Sequence, residues 1–231
     1  MLIEKTKGRG DENSAYVRLF ENIDLGKLLS KIHATTISNG SELERIILEK
    51  ANKIENLDAF IDDVIEAKID SGVFLCAKRN IKKSSYAVKR KLENGKEVGV
   101  EPDFLIFIIE KRRVCKIIEL KDGDCFDTKK AASEKENLEY FKANFSPKVP
   151  FVTEIYLCSF FQMDKKILKS GLKDKFEENE LLNGREFCEL LSLDYDEIVE
   201  LRKRDTKQNL RYFVKELLKI KELRELIKEN L

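Results

Sequence analysis

The stretch EPDFLIFIIEKRRVCKIIELK, from Glu101 to Lys121, decides the fold. Its two apolar runs, Phe104 to Ile109 and Val114 to Leu120, flank the charged tripeptide Lys111-Arg112-Arg113. Short apolar runs parted by such a turn predict paired, buried strands. A turn centred on Arg112 puts Asp103 opposite Lys121 and Leu105 opposite Glu119. Asp103 and Glu119 then become diagonal neighbours on one face, roughly 7–8 Å apart, a gap that a shared cation can bridge. Glu119 and Lys121, two residues apart on a strand, share that face. Two carboxylates and an ammonium converge at the tip of an otherwise apolar hairpin. Such an arrangement is costly unless the charges are paired or hold a metal.

Pro102-Asp103, followed at the end of the next apolar strand by Glu119-Leu120-Lys121, resembles the signature of the PD-(D/E)XK nucleases, the restriction-endonuclease-like superfamily. Four other acid-x-lysine triplets occur: Glu66-Ala67-Lys68, Asp127-Thr128-Lys129, Asp164-Lys165-Lys166 and Asp205-Thr206-Lys207. None of them closes a long apolar strand that follows a Pro-Asp. The resemblance implies an α/β fold, a mixed β-sheet flanked by helices in the order αβββαβ, with a helical C-terminal region. It implies a magnesium ion held by Asp103, Glu119 and the backbone carbonyl of Leu120, with Lys121 beside the attacking water. It also suggests a role for Glu44, on the first core helix after Gly40-Ser41, ahead of Glu42 and Glu49. The competing reading of Glu44 is the reciprocal half of a capping box begun by Ser41. The stretches Asp127-Thr128-Lys129-Lys130 and Asn183-Gly184-Arg185-Glu186-Phe187-Cys188 are similar to segments of type II restriction endonucleases. The implied activity is magnesium-dependent, site-specific cleavage of double-stranded DNA by a homodimer. The alternatives are a structure-specific repair or junction nuclease on the same core, or a catalytically inactive DNA-binding protein.

Lys and Arg total 44 against 43 Asp and Glu, a formal net charge of +1, so contact with a polyanion must rest on local clusters. The strongest cluster lies between residues 78 and 91, where Lys78, Arg79, Lys82, Lys83, Lys89, Arg90 and Lys91 occur without an acid. Placed just before the acidic hairpin, it suits a surface that contacts DNA phosphates. Arg112 and Arg113 in the turn are further candidates by charge and location. Lys129 and Lys130 are others, because they open a predicted helix where the helix dipole disfavours cations. The plain alternative for all of these is a solvated face.

Five cysteines, Cys76, Cys115, Cys125, Cys158 and Cys188, form no C-x-x-C pair, and several sit inside apolar runs. They read as reduced core thiols of an intracellular protein, and the resemblance to restriction endonucleases implies the cytoplasm of a prokaryotic cell. A single histidine, His33, excludes chemistries built on several histidines within one chain. No Walker-type loop points to an NTP-driven motor, and no apolar segment is long enough for a signal peptide or membrane span.

The rest of the chain, 231 residues in all, reads as one domain with a core from about 40 to 165 and a helical region from about 166 to 231. Helices are predicted over 12–37 with a break near Gly26, over 41–54 after a boundary at Ser38-Asn39-Gly40, and over 57–68. Asn94-Gly95 predicts a turn joining 86–92 to 97–100. A helix over 131–145 and a strand over 149–161 follow. Further helices are expected over 168–179, 184–192, 198–203 and 210–229. The last carries an apolar band from Leu210 through Phe213, Leu217, Leu218, Ile220 and Leu223 to Ile227.

Overall fold

A computed structural model describes residues 1–8, 12–123 and 128–230, with the side chains of Thr128 and Lys129 outside that description. The first elements are α1 (Ala15–Phe20), α2 (Ile23–Lys50), β1 (Lys53–Ile54), α3 (Leu57–Ile65), β2 (Gly72–Ala77), α4 (Lys78–Ile81), β3 (Lys89–Lys91) and β4 (Glu97–Gly99). Then come β5 (Phe104–Ile109), β6 (Arg113–Lys121), α5 (Thr128–Phe145), β7 (Val152–Ser159), α6 (Lys165–Gly171), β8 (Leu181–Asn183) and α7 (Gly184–Leu190). The chain ends with α8 (Tyr195–Lys203), α9 (Thr206–Lys219) and α10 (Lys221–Glu229). The described residues divide into two compact units, one made of Met1–Ile46 with Asp196–Leu231, the other of Ile47–Tyr195.

The second unit is built on a six-stranded mixed sheet in the order β1-β2-β5-β6-β7-β8. The β2, β5 and β6 strands pair antiparallel, while β6, β7 and β8 run parallel. A parallel pair needs a crossover, and α5 supplies it between β6 and β7. This is the restriction-endonuclease-like α/β arrangement. Gly72–Ala77 carries no strand expectation from its sequence, yet it supplies β2, the neighbour that makes β5 a central strand.

Burial on both sides explains why β5 reads as an unbroken apolar run. Leu105, Phe107, Ile109, Cys115 and Ile117 face a core shared with Phe60 of α3 and with Leu138, Phe141 and Phe145 of α5. Phe104, on the other face, meets Phe187 of α7 with ring centroids 6.2 Å apart.

The hairpin register differs from expectation by one position. Phe104 pairs with Ile118 and Ile109 with Arg113, so the turn is centred on Lys111 rather than Arg112. Continued by one step, this register sets Asp103 directly across from Glu119, not diagonal to it. A run that is apolar on both faces has no alternation to fix its phase, so the turn could not be placed from the pattern.

The buried thiols pack as predicted. Cys76, Cys115, Cys158 and Cys188 are free and buried, and Cys125 lies outside the described residues. Burial pushes Cys76 and Cys188 up to about 12 and carries Cys115 and Cys158 well above the usual thiol range. Only the thiolate reacts readily. Iodoacetamide at pH 8 is therefore expected to leave these four unmodified in the native protein and to alkylate them after urea unfolding. Peptide mass spectrometry reads both states.

Helix α2 overturns the expected break and boundary. It runs unbroken from Ile23 to Lys50, through Gly26 and through Ser38-Asn39-Gly40. Thr35, Thr36 and Ser38 donate their hydroxyls to the carbonyls of Lys31, Ile32 and Ala34, four residues back, and so stay inside the helix instead of capping a new one. Gly26 is a packing residue: a Cβ there would lie 2.3 Å from Val17 Cγ2 of α1. Ser41 is consequently mid-helix, and the capping-box reading of Glu44 fails. The expected helix over 210–229 is two helices, parted at the buried, extended Ile220. Among the described residues, no helix is long and apolar enough to cross a membrane.

Candidate active site

β6 outruns β5. Pairing with β5 stops at Ile118, whereas pairing with β7 continues to Lys121 opposite Ser159. Glu119, Leu120 and Lys121 are thus held in strand geometry by β7 alone, and the segment Glu101-Pro102-Asp103 takes the place of the missing neighbour. Asp103 fastens this junction. Its Oδ2 accepts from the Leu120 backbone N–H at 3.0 Å, and its Oδ1 accepts from Lys78 Nζ at 3.0 Å. The Asp103 carbonyl accepts from the Lys78 backbone N–H at 2.9 Å, continuing the ladder with β2.

Lys121 Nζ lies 2.6 Å from Glu119 Oε1 and 2.9 Å from Glu134 Oε1. Glu134 comes from α5. It stands among the inward row Ala131, Leu138, Phe141 and Phe145, three residues after the first and four before the second. That acid in an apolar stripe is the signal by which the sequence could have revealed it.

An ion-paired carboxylate ordinarily falls in pKa, yet Glu119 rises to about 7. Burial and repulsion from Asp103 outweigh the attraction of Lys121, and Glu134 adds further repulsion. For Lys121 the balance runs the other way. Burial alone would lower its pKa, but Glu119 and Glu134 together raise it, so it stays an ammonium across the neutral range.

A cleft of about 210 Å³ opens at this junction, lined by Lys78, Gly99, Glu101, Pro102, Glu119 and Glu134 among others. Glu101 is buried there, and its Oε2 has no hydrogen-bond partner. Among the described residues, no three acidic, cysteine or histidine side chains already converge as a ready metal group. The ammonium groups of Lys78 and Lys121 hold the carboxylates instead. The residues nevertheless fit a divalent cation. The donors are hard oxygens of the kind magnesium takes, and a buried carboxylate oxygen is left without a proton donor.

The basic candidates fare unequally. Lys78 belongs to the acidic site itself through its pairing with Asp103. The absence of acids from residues 78–91 is made good through space. Arg79 approaches Glu55 at 3.9 Å, Lys89 approaches Glu97 at 3.7 Å, and Arg90 lies 3.5 Å from Glu136 with its guanidinium over the Tyr140 ring. Lys82, Lys83 and Lys130 are exposed. Arg112 in the β5–β6 turn and Arg113 at the start of β6 lie at the far end of the hairpin, Arg113 being six strand residues from Glu119, roughly 20 Å away. They are not brought to the acids. The Lys129 side chain lies outside the described residues. Glu44 is half-buried on α2 in the first unit, while Asp103, Glu119, Lys121 and Glu134 all belong to the second.

A mixed sheet whose antiparallel hairpin ends in Pro102-Asp103 and Glu119-Leu120-Lys121, with Asp103 and Glu119 brought together, defines a PD-(D/E)XK nuclease core. The chain is 49% identical over 229 residues to the type II restriction enzyme HhaII of Haemophilus parahaemolyticus, covering 99% of this chain and 98% of that protein. The chain therefore belongs to the type II restriction enzymes. No protein-family model and no solved structure matches it.

Proposed function

We propose that this protein hydrolyses phosphodiester bonds of double-stranded DNA at a specific short sequence, using Mg2+ held by Asp103, Glu119 and the Leu120 carbonyl. The observation that carries this reading is the convergence of Asp103, Glu119, Lys121 and Glu134 where β6 outruns β5. A bound magnesium ion supplies charge to offset the phosphate and a centre on which water is acidified. The side chains do the rest. Lys121 stays protonated and donates toward the incoming water or a non-bridging phosphate oxygen. As the water oxygen joins phosphorus it gives up a proton to solvent, while the bond from phosphorus to the 3′ oxygen breaks and that oxygen takes a proton from solvent, leaving a 5′ phosphate and a 3′ hydroxyl. Lys82, Lys83 and Lys130 are the exposed cations we assign to backbone phosphates.

Cutting both strands of a symmetric site calls for two such centres related by a two-fold axis, so we assign a homodimer. Helix α9 leaves Leu210, Val214 and Leu218 exposed four residues apart, an apolar row that a second copy would cover. Incubating plasmid DNA with the protein and magnesium tests the activity. Discrete fragments sharing one terminal sequence support site-specific cutting. Structure-dependent nicking would instead favour a repair or junction nuclease, and binding without cleavage an inactive DNA-binding protein.

Glu134 acts on this chemistry through Lys121 and is a positioning residue. Replacing Glu134 with Gln removes one of the two carboxylates that raise the lysine's pKa. The expected outcome is a kcat about tenfold to a hundredfold lower, a nearly unchanged KM, and an alkaline limb of the pH–rate profile displaced to lower pH. Single-turnover cleavage measured across pH checks it.

A further inference from the structure

Glu101 belongs to no part of the motif, yet it is 8% exposed in the cleft that Glu119 and Glu134 also line. Its Oε2 is buried without a partner, a costly state for a carboxylate oxygen. The backbone is shaped to admit it. A Cβ on Gly99 would lie 2.6 Å from Glu101 Oε2 and 3.1 Å from Oε1, so only glycine at 99 leaves room for the carboxylate where it lies. Pro102, which has no N–H to offer it, follows directly.

The charges around the cleft give the group a use. Four carboxylates, on Glu101, Asp103, Glu119 and Glu134, face two ammonium groups, on Lys78 and Lys121. Asp103 and Glu119 each already engage an ammonium, and Glu134 shares one, so the oxygen of Glu101 is the acceptor most in need of a positive partner.

We propose that Glu101 is a further ligand of the divalent cation, offered from the cleft that Glu119 and Glu134 also line. This rests on the cation site assigned above to Asp103 and Glu119, and it adds a carboxylate that the Pro-Asp and Glu-x-Lys pattern does not contain.

Calcium titrated into the intact protein without DNA, followed by calorimetry and by thermal melting, reads this apart from activity. The wild type is expected to bind and to gain stability with calcium concentration. Glu101→Gln, which keeps the shape, is expected to weaken calcium at least about tenfold. Glu101→Asp, which keeps the charge but withdraws it, should bind with intermediate affinity and decides the matter if the Gln variant does not fold. Calcium affinity unchanged in the variants, while Glu119→Gln loses it, would overturn the role of Glu101 and leave the Asp103–Glu119 site standing. Absence of calcium binding by the wild type would overturn both.

Discussion

Glu119→Ala is expected to lower magnesium-dependent DNA cleavage by about a thousandfold or more, the scale on which charge stabilisation at a reacting phosphate acts. The same substitution should leave the fold standing. In the wild type the ionised form of Glu119 is opposed by burial and by Asp103, which is why its pKa rises to about 7. Removing it relieves that opposition, and Lys121 keeps Glu134 as a partner. The melting temperature at pH 8 should stay within roughly 3 °C of the wild type, about 1 kcal/mol for a chain of this size. Single-turnover cleavage and thermal melting on one preparation separate the two effects. A variant as active as the wild type would remove Glu119 from the chemistry, whereas an unfolded one would make it structural.

Lys121→Met carries a different signature. Cleavage should again fall by about a thousandfold, but stability now falls too, and it does so with pH. The ammonium bridges Glu119 and Glu134 and is only 23% exposed, so its loss sets two carboxylates against each other in a buried place. Glu119 already has a folded-state pKa raised above its ordinary 4.5, and losing the lysine that lowers it raises it further. A raised carboxylate pKa contributes stability that is present below the unfolded value and lost as pH rises through the folded one. The variant should therefore melt near the wild-type temperature at pH 4.5. At pH 8 it should melt roughly 6–12 °C lower, corresponding to about 3 kcal/mol. Thermal melts across that range test the sign. A penalty that is equal at both ends would mean that lost packing, not charge, is responsible.

The hairpin and its acidic tips were legible in the sequence because they combine signals of different kinds: strand-length apolar runs, a charged turn, and acids placed at the outer ends. The pairing phase was not, because strands buried on both faces lack the alternation that marks register. Helix α2 was hidden by Gly26 and by Ser38-Asn39-Gly40, which look like punctuation until tertiary packing and hydroxyl bonds to earlier carbonyls absorb them. Lys78 read as a DNA contact because a linear run of cations cannot show that Asp103 lies across a strand end from it. Glu134 left a trace as the one acid in the inward stripe of α5. Glu101 left none, since its burial depends on how the chain enters β5 and on the missing side chain of Gly99.

In the proposed site the acidic ends of two adjoining strand segments grip one divalent cation. Anomalous diffraction from crystals soaked in manganese, an ion that scatters strongly near its absorption edge, locates that cation. A peak is expected between the carboxylates of Asp103 and Glu119. A protein that cleaves DNA with manganese but shows its peak elsewhere, with none at those two residues, would contradict it.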